Sequence, residues 1–302
     1  AGVRVSLIPD CAVAQVMARG EVNAVIVGSD RAAQNGDIIN KIGTYPLAVM
    51  AKRYGVPFHV LVQDPRSLVQ GIDVPIEERP GAELLNFQGQ QLMAEDSIAV
   101  RYPAFDVTPA ALISRFVGFD DVYTPESFRR KYQQQTAAVP QSTRDESKYL
   151  LIYGMPTLDQ CEYLVRALKA EQASRLLIPE MRPEMWGVHA VAPALLQQNA
   201  PTTLISDNMM GIFFARGEIR KLYLYYTRVD QQGVSGICGS LLALGLARAH
   251  DVPVELLASD SVKRSTVDSD VSTFMGKSIC PTGASIFPLE SEVMRRELFE
   301  KS

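Results

Sequence analysis

The stretch "IVGSDRAAQNGDIINKIGTYPLAV", residues 26–49, joins an apolar run to a polar loop and then to an apolar helical segment. The loop holds two aspartates, an arginine, two asparagines and a lysine. A loop of this composition at the end of a strand is either a solvated turn or a functional site. The rest of the chain decides between the two.

Short apolar runs lie on both sides of that stretch and alternate with helical segments. Runs at 3–8, 23–28, 58–62, 149–154, 175–179, 202–206, 221–226 and 254–258 predict strands. They are apolar throughout, which is typical of strands buried on both faces of a parallel sheet. Segments 11–20 and 45–55 predict helices, and Gly55 is placed to end the second one. The pattern predicts an α/β fold in which helices cover a parallel sheet.

Composition and charge exclude several classes of protein. The chain has 302 residues, 47% of them hydrophobic and 21% charged, as in ordinary globular domains. A formal net charge of -4 without a basic run argues against binding nucleic acid or an anionic membrane. No apolar run is long enough to span a bilayer, and no signal-peptide pattern is present. We therefore expect a cytoplasmic protein without nucleic-acid or membrane partners.

The four cysteines carry no recognisable motif. Cys11, Cys161, Cys238 and Cys280 are scattered and form no CxxC pair. Neither a zinc site nor a disulfide scaffold is indicated, and we expect a reducing compartment.

Two segments of the chain repeat each other. "SLIPDCAVAQVMARGEV" (6–22) aligns with "TLISDNMMGIFFARGEI" (203–219) at an offset of 197 positions, which becomes 196 at "GVP" (55–57) and "DVP" (251–253). A near-constant offset over about fifty residues indicates a duplication. We predict two unequal copies of one α/β domain: residues 1–128, a polar linker at 129–147, and a degenerate second copy at 148–302.

The first copy is predicted to be incomplete. The second copy offers two strand–helix units before "TTLIS", whereas the first opens directly at "GVRVSLI". A buried parallel sheet cannot lose leading strands without exposing apolar faces and unpaired edges. We expect the front of the first copy to be removed, encoded elsewhere or supplied by another subunit.

Comparing the copies bears on the opening loop. At the offset of 197, Asp30 falls on Thr227 and Asp37 on Val234, so the second copy lacks both carboxylates. If they only shaped turns, the second copy would need them equally. An Asx turn remains the alternative for either aspartate alone. The constellation of Asp30, Asn40 and Lys41 at the carboxyl end of a strand favours a ligand site.

Several long motifs resemble one family. "VGSDRAAQNGDIINKIGTYPLAVMAKRYGVPF" (27–58), "VPIEERPGAEL" (74–84) and "RYPAFDVTPAALISRFV" (101–117) resemble 5-methylthioribose-1-phosphate isomerases and their relatives. Those relatives include ribose-1,5-bisphosphate isomerases and the regulatory subunits of translation initiation factor 2B. In the second copy, "PEMRPEMWG" (179–187) and "LISDNMMG" (204–211) are similar to the family's earlier motifs.

The resemblance implies a Rossmann-like α/β domain, usually dimeric, that isomerises a sugar phosphate in methionine salvage without metal, nucleotide or other cofactor. It places Asp30 as the catalytic acid, and Asn40 with Lys41 as substrate contacts. Arg31 completes the candidate substrate-binding residues. A carboxylic acid poised by burial can protonate the ring oxygen of a sugar 1-phosphate. A lysine holds phosphate as a point charge, and an asparagine both donates to and accepts from hydroxyls.

The chain departs from the family pattern at the nucleophile. Where the family has a His-Cys-Asn core, the second copy reads "IYGMPTLDQC" (152–161), and Cys161 is expected to be a small core residue. Trp186 stands in place of the family's glutamine, and Cys11 follows a strand other than the family's nucleophile strand. The 302 residues alone are therefore expected to be nearly inactive.

Three functions remain open from the sequence. The first is a 5-methylthioribose-1-phosphate isomerase, which the presence of Asp30, Asn40 and Lys41 favours. The second is a non-catalytic relative that assembles or senses a ligand, which the absent cysteine motif favours. The third is a ribose-1,5-bisphosphate isomerase. The partners expected are a sugar phosphate and either a second copy of the chain or a companion subunit or segment.

Overall fold

A computed structural model describes residues 2–87, 89–133, 148–259, 273–274, 277–278, 284–286 and 292–299. Within these residues the protein has a mixed α/β architecture with parallel sheets, as the sequence predicted. The helices are α1 (Val13–Ala18), α2 (Thr44–Arg53), α3 (Ala82–Leu85), α4 (Pro125–Tyr132), α5 (Leu158–Ala170), α6 (Ala192–Gln197), α7 (Met210–Ala215) and α8 (Ser240–Ala249).

The strands differ in length, and the longest of them lie in the second half of the chain. They are β1 (Ser6–Leu7), β2 (Val25–Val27), β3 (Arg31–Ala32), β4 (Ile38–Lys41), β5 (Phe58–Leu61), β6 (Asn86–Phe87), β7 (Gln90–Gln91), β8 (Ala99–Val100), β9 (Phe105–Thr108), β10 (Arg115–Val117), β11 (Val122–Tyr123), β12 (Tyr149–Tyr153), β13 (Arg175–Pro179), β14 (Thr202–Ile205), β15 (Ile219–Tyr226), β16 (Arg228–Val229), β17 (Val234–Gly236), β18 (Val254–Ala258), β19 (Thr273–Phe274), β20 (Lys277–Ser278), β21 (Ser285–Ile286) and β22 (Glu292–Met294).

The larger parallel sheet belongs mostly to the second half. Among the described residues its order is β18-β15-β12-β13-β14-β8, and every neighbouring pair is parallel. All five residues of β12 are buried, as expected for a central strand covered on both faces. Strand β8 comes from the first half, so this sheet draws on both predicted copies.

The smaller sheet has the order β11-β10-β5-β2. Strand β5 pairs in parallel with β10 and β2, and β11 closes the other end as an antiparallel strand. Strand β2 pairs with β5 alone among the described strands, and Ile26 at its centre is 67% exposed. Among the described residues the sheet therefore ends at β2, with no further strand beyond it.

The two aligned segments carry the same elements in the same order. Helix α7 follows α1 at the offset of 197, and α8 follows α2 at 196. Each of α2 and α8 is preceded by a left-handed glycine, Gly43 with φ 103° and Gly239 with φ 89°. Strand β15, which corresponds to β2, pairs with β12 on one side and β18 on the other. A duplicated origin stays a prediction, but the two local structures match.

These four helices pack together between the sheets. Helix α2 contacts α8. In addition α1 contacts α8 and α2 contacts α7, and these two contacts correspond to each other in the two aligned segments. A Cβ on Gly43 would lie 3.0 Å from the Cβ of Asn208, and one on Gly239 would lie 3.0 Å from the Cβ of Cys11. Asn208 and Cys11 occupy matching positions in the two segments. The halves thus meet through a pseudo-symmetric helical interface.

Two predicted segments differ from expectation. The run at 3–8 forms only β1, which pairs in parallel with β21, and Val3 and Val5 are 78% and 53% exposed. Helix α4 extends to Tyr132, so the predicted linker at 129–147 begins inside a helix. A capping box between Thr124 and Ser127 starts that helix. Residues 134–147 lie outside the described part of the chain.

Candidate functional site

The polar loop folds into a hairpin at the carboxyl end of β2. Strands β3 and β4 pair antiparallel with Arg31 opposite Ile39, and the N–H of Asp30 donates to the Ile39 carbonyl at 3.0 Å. Strand β4 also pairs with β9, which sets Asn40 opposite Asp106. The backbone therefore brings Asp30 and Asn40 to neighbouring positions on adjacent strands of the hairpin.

The side chains of Asp30 and Arg31 lie on the surface. Both residues are exposed and line a cavity of about 350 Å³ together with Asp64 and Arg66. The described residues do not give Asp30 the burial that the role of a poised acid calls for. Asp30 follows β2, which is the last strand of the smaller sheet among the described residues.

Asn40 and Lys41 are held by the first turn of α2. The Asn40 amide donates to Thr44 Oγ1 at 2.9 Å, and the Thr44 hydroxyl donates to the Lys41 carbonyl at 2.8 Å. The exposed Lys41 ammonium lies 5.7 Å from the centre of the Phe105 ring. Asn40 is half-buried, so its amide serves the turn in this arrangement.

A second cavity, of about 490 Å³, lies between the two halves. Lys41, Asp10 and Cys11 reach it from the first half, and Arg182 and Asn208 from the second. It lies at the carboxyl ends of β13 and β14, where parallel sheets bind ligands. One wall is apolar and consists of Leu84, Phe87, Leu92 and Tyr102. An apolar wall facing a few polar groups is typical of small-molecule sites.

Two buried carboxyl groups shape this cavity. Asp207 accepts hydrogen bonds from the N–H groups of Met181 and Arg182 at 2.9 and 2.8 Å. Glu180 accepts one from Arg182 Nε at 2.7 Å. Burial raises the pKa of Asp207 to about 7, and it also raises the pKa of Glu180. Both groups lie in quoted motifs, yet sequence reasoning gave them no role.

The predicted site residues thus fall into two groups. The cavity beside Asp30 and Arg31 and the cavity beside Lys41 share no lining residue. A ligand that reaches both Asp30 and Lys41 must therefore extend beyond either cavity.

Asp37 has a structural role. Its carboxylate accepts hydrogen bonds from the Asn35 amide at 2.7 Å, the Ala110 N–H at 3.1 Å and the Gly71 N–H at 3.3 Å. It ties three loops together, so the comparison of the two copies does not indicate chemistry at Asp37. Cys161 is fully buried in α5, as predicted for a core residue.

The described residues contain no group of three or more His, Cys, Asp or Glu side chains that could hold a metal ion. In the same part of the chain no helix has the length and apolar character to cross a membrane.

Parallel α/β sheets bind small ligands at the carboxyl ends of their strands, and the polar hairpin lies at such an end. The chain belongs to the initiation factor 2 subunit family, whose profile matches residues 1–118 and 144–274.

Curated relatives share stretches of high identity with the chain. The methylthioribose-1-phosphate isomerase of Dehalococcoides mccartyi is 48% identical over 120 residues, which cover 39% of this chain and 36% of the relative. That of Magnetococcus marinus is 50% identical over 117 residues, covering 37% of this chain and 32% of the relative. The match therefore spans only about a third of the length of these relatives.

Two solved structures are similar over part of the chain. The 5-methylthioribose 1-phosphate isomerase from Pyrococcus horikoshii OT3 is 43% identical, with a TM-score of 0.41 over 44% of this chain and 37% of that one. The translation initiation factor eIF-2B subunit delta from A. fulgidus is 36% identical, with a TM-score of 0.37 over 41% of this chain and 36% of that one.

Proposed function

We propose that the chain takes part in aldose–ketose isomerisation of 5-methylthioribose 1-phosphate to 5-methylthioribulose 1-phosphate. The observation that carries the proposal is the 48% identity over 120 residues to a methylthioribose-1-phosphate isomerase. Membership of the initiation factor 2 subunit family agrees with it.

The hairpin supplies groups suited to this reaction. Asp30 protonates the ring oxygen as the bond from that oxygen to C1 breaks, which opens the sugar ring. A proton then leaves C2 and another is added at C1. The C2 hydroxyl loses its own proton and becomes a carbonyl, which returns the proton that Asp30 gave. Lys41 holds the phosphate as a point charge, and Asn40 and Arg31 contact hydroxyl or phosphate oxygens.

The substituent at C5 is addressed by the cavity beside Lys41. Leu84, Phe87 and Leu92 in its lining suit a methylthio group, whereas Lys41 and Arg182 in the same lining offer two cations to phosphate. The lining alone fits either sugar, and the 48% identity to a methylthioribose-1-phosphate isomerase favours the methylthio sugar.

One observation favours a different function. Asp30 is exposed, and its cavity is separate from that of Lys41. A non-catalytic family member that binds a sugar phosphate without converting it needs Lys41 and not a buried acid. This is the second candidate function.

The experiment separates binding from turnover. The purified chain is incubated with 5-methylthioribose 1-phosphate or ribose 1,5-bisphosphate, conversion is followed by NMR, and binding is measured by calorimetry. We expect the methylthio sugar to bind more tightly and to be converted only slowly, because these 302 residues lack the family's His-Cys-Asn core. Binding without conversion supports the non-catalytic alternative, and binding of neither sugar contradicts both.

A matched pair of variants tests the site itself. Lys41→Ala should weaken binding by roughly tenfold or more, since a charge-assisted hydrogen bond is lost. Lys52→Ala is the control, because Lys52 is an exposed lysine on α2 that lines neither cavity. Equal affinity of the two variants would place the phosphate elsewhere.

A further inference from the structure

Two cysteines from opposite halves of the chain meet at the helical interface. Cys11 Sγ lies 3.6 Å from Cys238 Sγ, although 227 positions separate the residues. Cys11 lies in the turn before α1, and Cys238 lies in the turn before α8. Both are free thiols and both are buried. Sequence spacing gave no sign of this pair, because the fold alone brings the residues together.

The two thiols are held in place by their surroundings. The Tyr153 hydroxyl donates to the Cys238 carbonyl at 2.8 Å, and Cys11 Sγ donates to the Arg182 carbonyl at 3.4 Å. Asn208 occupies the position that matches Cys11 in the second aligned segment, and Ile42 occupies the position that matches Cys238 in the first. The repeat therefore does not require a sulfur at either position. The pair is thus a feature of one side of the pseudo-symmetric interface.

A route for small molecules leads to the pair. Cys11 lines the cavity of about 490 Å³ between the halves, and this cavity also has Asp10 and Lys41 in its walls. A molecule the size of hydrogen peroxide fits easily into a space of this volume.

We propose that Cys11 and Cys238 form a disulfide when peroxide enters this cavity. The Cys11 thiolate, which lines the cavity, attacks the peroxide, the O–O bond breaks, and a sulfenic acid and hydroxide form. The Cys238 thiol then attacks the Cys11 sulfur, and water leaves as the S–S bond forms. In total two thiols are oxidised and one peroxide is reduced to two waters.

The order of the two steps follows from the geometry. Cys11 lines the cavity, whereas Cys238 is not among the residues that line it. Cys11 therefore meets the peroxide first, and Cys238 is the resolving thiol. The contact with Cys238 and burial raise the pKa of the Cys11 thiol well above its usual value, so that alkaline pH favours the first step.

The product would cross-link the two halves. The bond joins the turn at Asp10–Ala12, which forms one wall of the cavity, to the N-terminus of α8. A cross-link over 227 positions restricts the unfolded chain strongly. Oxidation is therefore expected to raise the melting temperature by roughly 5–10 °C.

The test treats the full purified chain with hydrogen peroxide at mildly alkaline pH. Free thiols are counted after denaturation, and a non-reduced digest is examined by mass spectrometry. We expect the thiol count to fall from four to two, together with a peptide that joins Cys11 to Cys238. The digest of the unmodified sequence gives this answer whether or not any variant folds.

Three variants sharpen the result. Cys11→Ser and Cys238→Ser should each abolish the cross-linked peptide and the rise in melting temperature. Cys161→Ser is the matched control, because Cys161 is buried in α5 with no sulfur neighbour among the described residues, and it should keep both. Oxidation that stops at sulfinic acid, links another pair or leaves all four thiols free overturns the proposal.

Discussion

Asp106 and Glu292 each place a buried carboxylate against the first backbone N–H groups of a central helix. Asp106 accepts from Gly43 at 2.8 Å and from Tyr45 at 3.0 Å, at the start of α2. Glu292 accepts from Leu241 at 2.7 Å and from Gly239, at the start of α8. A helix N-terminus favours a negative charge, so each carboxylate caps its helix in the same way. The two caps come from β9 and β22, which pair antiparallel with the matching strands β4 and β17.

These carboxylates make stability depend on pH near neutrality. Burial raises the pKa of Asp106 and of Glu292 to about 7, against the opposing effect of the backbone hydrogen bonds. Their folded values lie above the unfolded ones, so their contribution to stability is full below about pH 4 and is lost as pH rises through about 7. We expect the free energy of unfolding to fall with pH by up to about 1.4 kcal/mol per unit for each group.

Urea unfolding between pH 5 and 8 measures this slope. Asp106→Asn and Glu292→Gln should each reduce it, whatever their effect on stability at one pH, because neither amide titrates. Asp207, whose pKa is also raised to about 7 by burial, supplies part of the remaining slope. Identical slopes in the variants and the unmodified chain would contradict the assignment.

Substitution of the left-handed glycines should separate backbone strain from steric overlap. Gly20 and Gly239 both have positive φ, at 72° and 89°. A Cβ on Gly20 meets nothing within 4 Å, whereas one on Gly239 overlaps the Tyr153 hydroxyl. We expect Gly20→Ala to cost about 1 kcal/mol and Gly239→Ala to cost about 3 kcal/mol or more. Chemical denaturation checks both values, and equal losses would show that strain alone decides.

The open edge of the smaller sheet should drive association. Strand β2 has no strand beyond it among the described residues, and Ile26 is 67% exposed there. Exposed apolar edges pair with other chains. We expect sedimentation to show association that grows with concentration and that Ile26→Lys suppresses, with stability changed by less than about 0.5 kcal/mol. Phe119→Lys is the control for an exposed apolar side chain in a loop, and equal suppression by both variants would reject the edge.

The sequence predicted the second half of the fold more fully than the first. Strands β13 and β18 have the predicted bounds. Strand β13 is a central strand with partners on both sides, and β18 lies at the end of the same sheet beside β15. Strand β1 is shorter than its apolar run, and Val3 and Val5 before it are 78% and 53% exposed. An apolar run indicates that its residues favour burial, but in the first half of the chain some of these residues stay exposed.

The candidate site was predictable in its residues and not in its geometry. The sequence located Asp30, Asn40 and Lys41 in one loop after a strand, and the structure folds that loop into a hairpin, while the roles of the three residues stay a prediction. No local pattern could show that Cys11 meets Cys238, or that Lys41 faces the second half, because these contacts depend on packing between distant segments. The role of Asp37 was missed for the same reason.

Asp30 decides between the catalytic and the ligand-binding function. Asp30→Asn keeps the size and the hairpin backbone bond to Ile39, but it removes the proton that opens the sugar ring. We expect turnover of 5-methylthioribose 1-phosphate to fall by about 10²–10⁴-fold, the usual value of general acid catalysis, while the affinity for the sugar changes little. NMR turnover and calorimetry measure the two quantities separately.

Thr227→Ala, at the matching position of the second half, is the control and should alter neither. A loss of turnover below about tenfold would remove Asp30 from the acid role. Weakened binding with unchanged turnover at saturation would instead make Asp30 a residue that only holds the ligand.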